Sequence, residues 1–439
     1  MYTFSSKLKT VSIALMLIGL LGVAYGFFTT PKTVEDVKVM MVDSHDSHGE
    51  TAHVEAAAHD SHADATHSDD AHAEHVLHQL QNKPWSALYV ALFFFFMISL
   101  ATLAFYAIQH ASQAGWPVVL FRVMEGITAY LPVGGILLFV FFVLSSLHMN
   151  HLFTWMDPEV VAHDQLIQNK AGYLNVPFFL ARAAIYIIGW VFYRNHARKL
   201  TLAQDNAEKG DISNYTKLFK RSAAFLVFFL VTESMMSWDW IMSLDPHWFS
   251  TLFGWYIFAS MIVSAITTIA LISIYLKGKG YLEFVNNSHL HDLAKYMFGF
   301  SVFWTYLWFS QFMLIWYADI PEEVTYFVTR FNDYRLPFLG MLALNFVFPL
   351  LVLMNSDYKR VPWFIVTTGI IILIGHYVDI FVMIMPATVG DQWFFGISEL
   401  SSILLILGIF IYVVFTALSK APLLAKGSPF IKESEHYHY

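Results

Sequence analysis

The chain has 439 residues, 57% hydrophobic and 13% charged, with 41 Phe, 22 Tyr, 13 Trp and a mean hydropathy of +0.54, more apolar side chain than one soluble core can bury. It contains no Cys, which excludes an iron-sulfur cluster ligated by this chain and a c-type haem tethered to it by thioether bonds. The formal charge of -8 is not a nucleic-acid signature, because much of the acid lies in one tract.

A helix needs about 20 mostly apolar residues to cross the hydrocarbon layer of a bilayer. Ten segments qualify: Val11 to Phe28, Trp85 to Ile108, Leu131 to Met149, Val176 to Tyr193, Ser222 to Ile241, Leu252 to Leu276, Tyr296 to Trp316, Phe338 to Met354, Trp363 to Met385, and Phe394 to Leu418. The pattern predicts an all-α polytopic membrane protein with ten transmembrane helices. The first segment follows Lys7 and Lys9 as a signal peptide would, but no small-residue cleavage site of the A-x-A kind ends it, so residues 1-28 read as an uncleaved N-terminal helix.

Residues 29-84 form a His/Asp-rich loop whose core, Asp43 to His78, interleaves nine His with nine Asp or Glu. Such a tract has little to bury and predicts a mobile or draped segment. It reads as a solvated linker, as a metal site drawing on His45, His48, His53, His59 and His62, or as a proton buffer near pH 6.5. The next eight spans divide into two units, residues 85-248 and 249-390, each a four-helix bundle. Residues 391-439 supply the last span and a tail.

With both termini cytoplasmic, eighteen Lys and Arg fall on the inner side and six on the outer, with Arg182 inside span four. This bias predicts a multi-pass protein of a bacterial inner membrane with the N- and C-termini inside. The His-rich loop then faces the periplasm.

Ionisable groups at membrane depth are costly and mark candidate sites. They are His148 and His151 on span three, Arg182 on four, Glu233 and Asp239 on five, His376 and Asp379 on nine, and Glu399 on ten. His148 and His151 are three apart, as are His376 and Asp379, so each pair is expected on one helical face. Glu233 and Asp239 are six apart, about 9 Å along a helix and about 120° around it, so they cannot both line one narrow path without help from a neighbour. His151, Asp239 and Asp379 each precede a proline by seven residues, Pro158, Pro246 and Pro386, which predicts a shared helix boundary with the polar group about 10 Å inside it. Span seven breaks the register, with Leu314 at that place before Pro321. The register points to spans two to five and six to nine as repeats, with sites between helices.

Blander readings stand beside these. Trp238, Trp240, Trp248 and Trp255 read as an interface belt, and Asp245 and His247 as a channel mouth or plain turn chemistry. Arg182 partners a carboxylate or tunes one, and the acids and imidazoles form a proton path or only a structural network. Towards the inner side only hydroxyls and amides such as Ser145, Ser146, Tyr275 and Asn345 appear before Arg122 and Glu125. An outward half-channel fits better than a through path.

The segments "ESMMSWDWIMSLDPHWFSTLFGWY" (Glu233 to Tyr256) and "FSVFWTYLWFSQFMLIWYADIPEE" (Phe300 to Glu323), with ten spans and a His-rich outer loop, resemble the ActF-type subunit of bacterial alternative complex III, of the NrfD or polysulfide-reductase type. The resemblance implies a membrane subunit of a quinol oxidoreductase in a respiratory chain, passing electrons to a c-type cytochrome or an attached haem-copper oxidase. Implied partners are a sister NrfD-like subunit, a periplasmic iron-sulfur protein, multihaem and monohaem c-type cytochromes, and lipids. Haem c and iron-sulfur clusters then sit on partners, this chain binds no redox cofactor, and a quinol is the one ligand left open. The sister subunit is the better quinol site, leaving this chain scaffolding and proton conduction. The alternatives are a direct quinol site, with His148 or His376 taking a quinol proton, and an independent secondary transporter.

Overall fold

The structure, a computed structural model, describes residues 2-39 and 62-438, with side chains from residue 73 onward in the second stretch. His45, His48, His53 and His59, and the side chain of His62, lie outside the described residues. Among those described, every regular element is helical, and ten helices are long and apolar enough to cross a membrane. They are α1 (Ser6–Thr29), α2 (His62–Ala111), α3 (Trp116–Ser146), α4 (Val176–Asp205), α5 (Ser213–Trp240), α6 (Phe253–Gly278), α7 (Asn287–Ala318), α8 (Arg335–Leu353), α9 (Pro362–Val389) and α10 (Ile397–Leu418). The chain is an all-α, multi-pass membrane protein, the solution open to a chain whose backbone polar groups must be met without water.

Packing follows a repeated plan. α2, α3, α4 and α5 each touch the next and α5 returns to α2; α6, α7, α8 and α9 close a second ring in the same order. The rings meet where α2 touches α6 and α9, and where α5 touches α6. Exchanging the rings swaps α2 with α6 and α5 with α9, so these joints form a symmetric set, as expected for two parallel repeats. α2 lies at the joint, with 94% of its apolar window buried, so its Phe-rich sequence faces protein on every side.

α1 and α10 lie outside the rings and pack along each other. Gly19, Gly22 and Gly26 set this distance, because a Cβ on Gly19 would stand 2.3 Å from the Leu405 backbone nitrogen. Gly19→Val is expected to lower stability by about 1–3 kcal/mol, the usual cost of overpacking, read from thermal unfolding in detergent. An unchanged midpoint would show that the two helices slide apart freely.

Four boundaries differ from the sequence reading. α2 begins at His62 and runs through Pro84, so the second half of the His-rich stretch is helix, its Val76, Leu77 and Leu80 packed against Val34 and Val37. α3 ends at Ser146, and His148 (φ 58°) takes the left-handed place after the helix. The Met149 amide bonds the Leu144 carbonyl and the His148 amide the Ser145 carbonyl, which satisfies orphan carbonyls of the last turn. His148 and His151 therefore share a loop and not a helical face. Pro386 lies inside α9, and Pro158 opens the short helix Pro158–His163, so only Pro246 follows a helix end as the register predicted. A proline forfeits one hydrogen bond but still fits the last turn or first turn of a helix.

The two ends of the rings need names: the tract end, where α2 starts, and the basic end. Beyond α10 the tail crosses the basic end of both rings. The Gly427 amide bonds Asp205 at 2.9 Å, Ser434 bonds the Trp116 carbonyl at 2.7 Å, and the Tyr437 hydroxyl bonds Asp292 at 2.5 Å.

Candidate functional site

Asp239 and Asp379 occupy matching places, each near the tract end of the helix that closes its ring, and both are fully buried. Their surroundings differ. Arg182 of α4 grips Asp239 in a bidentate pair, with Nε to Oδ2 and Nη2 to Oδ1 both 2.8 Å. Tyr186 donates to Oδ2 at 3.0 Å. The guanidinium also donates to the Tyr173 carbonyl at 3.0 Å and lies over the Tyr173 and Phe178 rings, 3.9 and 4.2 Å from their centroids. A planar fork that meets both carboxylate oxygens is the geometry of a lock. Of the two readings open for Arg182, the structure selects the carboxylate partner.

Among the described residues no guanidinium or ammonium is bonded to Asp379. Its Oδ1 accepts from the Tyr256 hydroxyl, and Oδ2 accepts from the Trp304 indole and the Ser260 hydroxyl, each at 2.9 Å. His376 Nδ1 lies 2.9 Å from Ser260 Oγ and 3.5 Å from Asp379 Oδ2, so the predicted pair does share one face of α9. Ser260 owns a single hydrogen. If it goes to the carboxylate, the imidazole Nδ1–H must donate to Ser260; if it goes to Nδ1, the carboxyl must carry a proton and donate it. One proton is thus exchangeable between Asp379 and His376 through a hydroxyl. Trp304→Phe removes one of the two donors to Oδ2 of a buried carboxylate and is expected to cost about 1–3 kcal/mol in detergent unfolding. No loss would mean that the Ser260 hydroxyl alone satisfies Oδ2.

The other sequence candidates scatter. Glu233 is buried on α5 with Oε1 unpartnered and joins neither cluster. Glu399 reaches back to the Gly396 amide at 2.9 Å and caps its own helix. His247 is exposed and bonds Asp164 at 2.6 Å. The Ile167 amide, with His247 and the Leu166 amide, holds the Asp164 carboxyl below its usual range. His247 thus joins the loop after α5 to the one before α4, and Asp245 lies at the same turn as His247. Two of the four belt tryptophans belong to the core: Trp240 packs on Phe142 and Trp190, and Trp248 stacks on Tyr326 at 3.9 Å.

Sequence reasoning missed the neutral donors Tyr256, Ser260 and Trp304, because nothing local marks which hydroxyl or indole meets an acid two helices away. Arg330 is one of the six Lys and Arg counted on the outer side. Arg330 is 4% exposed on the helix Pro321–Asn332, stacks 3.3 Å over the Tyr326 ring, and shares a small cavity with Asp379 without a hydrogen bond to it. The second ring thus holds separated an acid and a cation like those the first ring joins.

Towards the basic end the second ring stays polar. Ser260, Ser264 and Thr268 repeat every four residues on α6, and Thr267, Ser301, Thr368 and both side-chain atoms of Asn345 are buried without partners. Asn345 sits in a π-helical turn of α8, Ala343–Val347, an irregularity common at functional sites. At the basic end of the first ring, Arg122, Arg198, Glu125 and Asp205 form a buried network to which Tyr106 and Thr201 donate. Arg122 and Glu125 are thus buried and paired with each other, although the Arg122 Nε makes no hydrogen bond among the described residues.

Comparison of the chain with protein-family models and with curated proteins gives no match.

Proposed function

We propose that this chain is a non-catalytic, proton-conducting membrane subunit of a quinol:cytochrome c, or quinol:electron acceptor, oxidoreductase of the alternative complex III type. The observation that carries the proton role is the Asp379–Ser260–His376 triad, in which one proton has two resting places at membrane depth and no fixed cation quenches the acid. The assignment to a quinol-oxidising complex rests on the resemblance of Glu233 to Tyr256 and Phe300 to Glu323 to that family. On this reading the tract end faces the periplasm of a bacterial inner membrane, and protons leave there. The partners are a sister NrfD-like subunit, a periplasmic iron-sulfur protein and c-type cytochromes, which carry the redox centres. Mild-detergent purification tests the assembly: haem absorbance should co-migrate with the chain, and a chain free of cytochromes would sink the reading.

Direct quinol binding is a second reading, favoured by a mainly apolar cavity of about 530 Å³ at the tract end, walled by Tyr173, Trp238, Trp248 and Phe249. A quinone retained by the chain and lost in Trp248→Ala would favour it.

A further inference from the structure

A second cavity of about 420 Å³ lies at the tract end, where α2, the loop after α3 and the last turn of α9 meet. Four imidazoles, those of His75, His78, His148 and His151, line it together with one carboxylate, Asp157. Neither the outward acid pair nor the ring symmetry explains this gathering of basic groups, which repel one another once protonated.

The cluster is built and not incidental. Asn82, one turn beyond His78 on α2, accepts from the His151 amide at 2.9 Å and donates to the His151 carbonyl at 3.3 Å. The Asn82 side-chain NH2 also donates to the Thr388 carbonyl at 3.2 Å. These bonds fix the His151 backbone so that its ring meets the His78 ring edge to face, with centroids 4.8 Å apart. Among the described residues the ring nitrogens of His148 and His151 make no hydrogen bond, whereas His75 is engaged by Gln79 at 3.1 Å.

We propose that this cavity is a site for a divalent transition-metal ion, zinc or copper, with His78 and His151 as fixed ligands and His148 as the third. Imidazole nitrogen suits both ions, and three His with an open position is a known ligand count for zinc. Among the described residues no three His, Asp or Glu side chains already meet at one point. The exposed His148 side chain therefore closes the set by rotation, with Asp157 offsetting part of the added charge.

The test uses the full chain in detergent with the seven His from His45 to His72 changed to Asn, which removes the tract as a competing binder. Zinc titration should give one ion per chain, and the copper-loaded protein should show nitrogen couplings in its electron paramagnetic resonance spectrum. His78→Gln and His151→Gln should each weaken binding by at least about tenfold and remove a coupling. His148→Gln, at an exposed position that threatens no packing, should do the same and keeps the test valid if a buried-side variant unfolds. Loss of all binding in the tract-silenced chain, or affinity and couplings unchanged in all three variants, overturns the site. The readouts are independent of proton conduction, so this site and the proposed function stand or fall separately.

Discussion

Arg182→Met is expected to lower the unfolding free energy by about 3–5 kcal/mol, among the largest effects of any single substitution in the first ring. The change strips Asp239 of both guanidinium bonds and leaves a carboxylate at zero exposure with the Tyr186 hydroxyl still donating to it. The double change Arg182→Met with Asp239→Leu should recover most of the loss, since a well-packed apolar pair avoids the desolvation that the ions must overcome. Urea or thermal unfolding of the purified chain measures both. A double variant as unstable as the single one would mean that the pair does more than neutralise itself. Asp239→Asn should leave proton movement unchanged, because an acid gripped at both oxygens by a fixed cation has no reason to exchange its proton during turnover.

Asp379→Asn should reduce proton release coupled to quinol oxidation by about 10²-fold or more, the usual contribution of a positioned acid-base group, while electron transfer and assembly persist. With its oxygen in the place of Oδ2 the amide still accepts from Trp304 and Ser260, and its NH2 donates to the Tyr256 hydroxyl, which can accept, so the bonds can be kept while the exchangeable proton is lost. Complex reconstituted in vesicles with an internal pH dye reports the ratio of protons to electrons. An unchanged ratio in Asp379→Asn, or an equal fall in Asp239→Asn, would count against the division of labour between the rings. His376→Gln is the companion test, because it removes the second resting place and leaves the acid.

That division was only half legible beforehand. The seven-residue spacing to proline made Asp239 and Asp379 equivalents, and as positions in two rings they are. Their chemistry diverges because α4 offers Arg182 to one, while α6 and α7 offer Tyr256, Ser260 and Trp304 to the other. His148 and His151 fared differently: the spacing placed them on a helix, and the helix ended first. Their joint position came instead from Asn82 reaching across from α2.

The sequence by itself determined the class of the molecule. Hydropathy over a span is a local sum, and a backbone that must satisfy itself inside a bilayer leaves helix as the outcome, so ten spans and their approximate limits could be read directly. It also singled out Arg182, Glu233, Asp239, His376, Asp379 and Glu399, all of which are buried, but it placed His148 and His151 on a helix that ends before them and passed over the buried Arg330. Only the tertiary structure decided what each of them meets. Whether a buried acid is neutralised, hydrogen-bonded by neutral donors or left open depends on contacts within about 3 Å between helices far apart in sequence, and no local pattern encodes them.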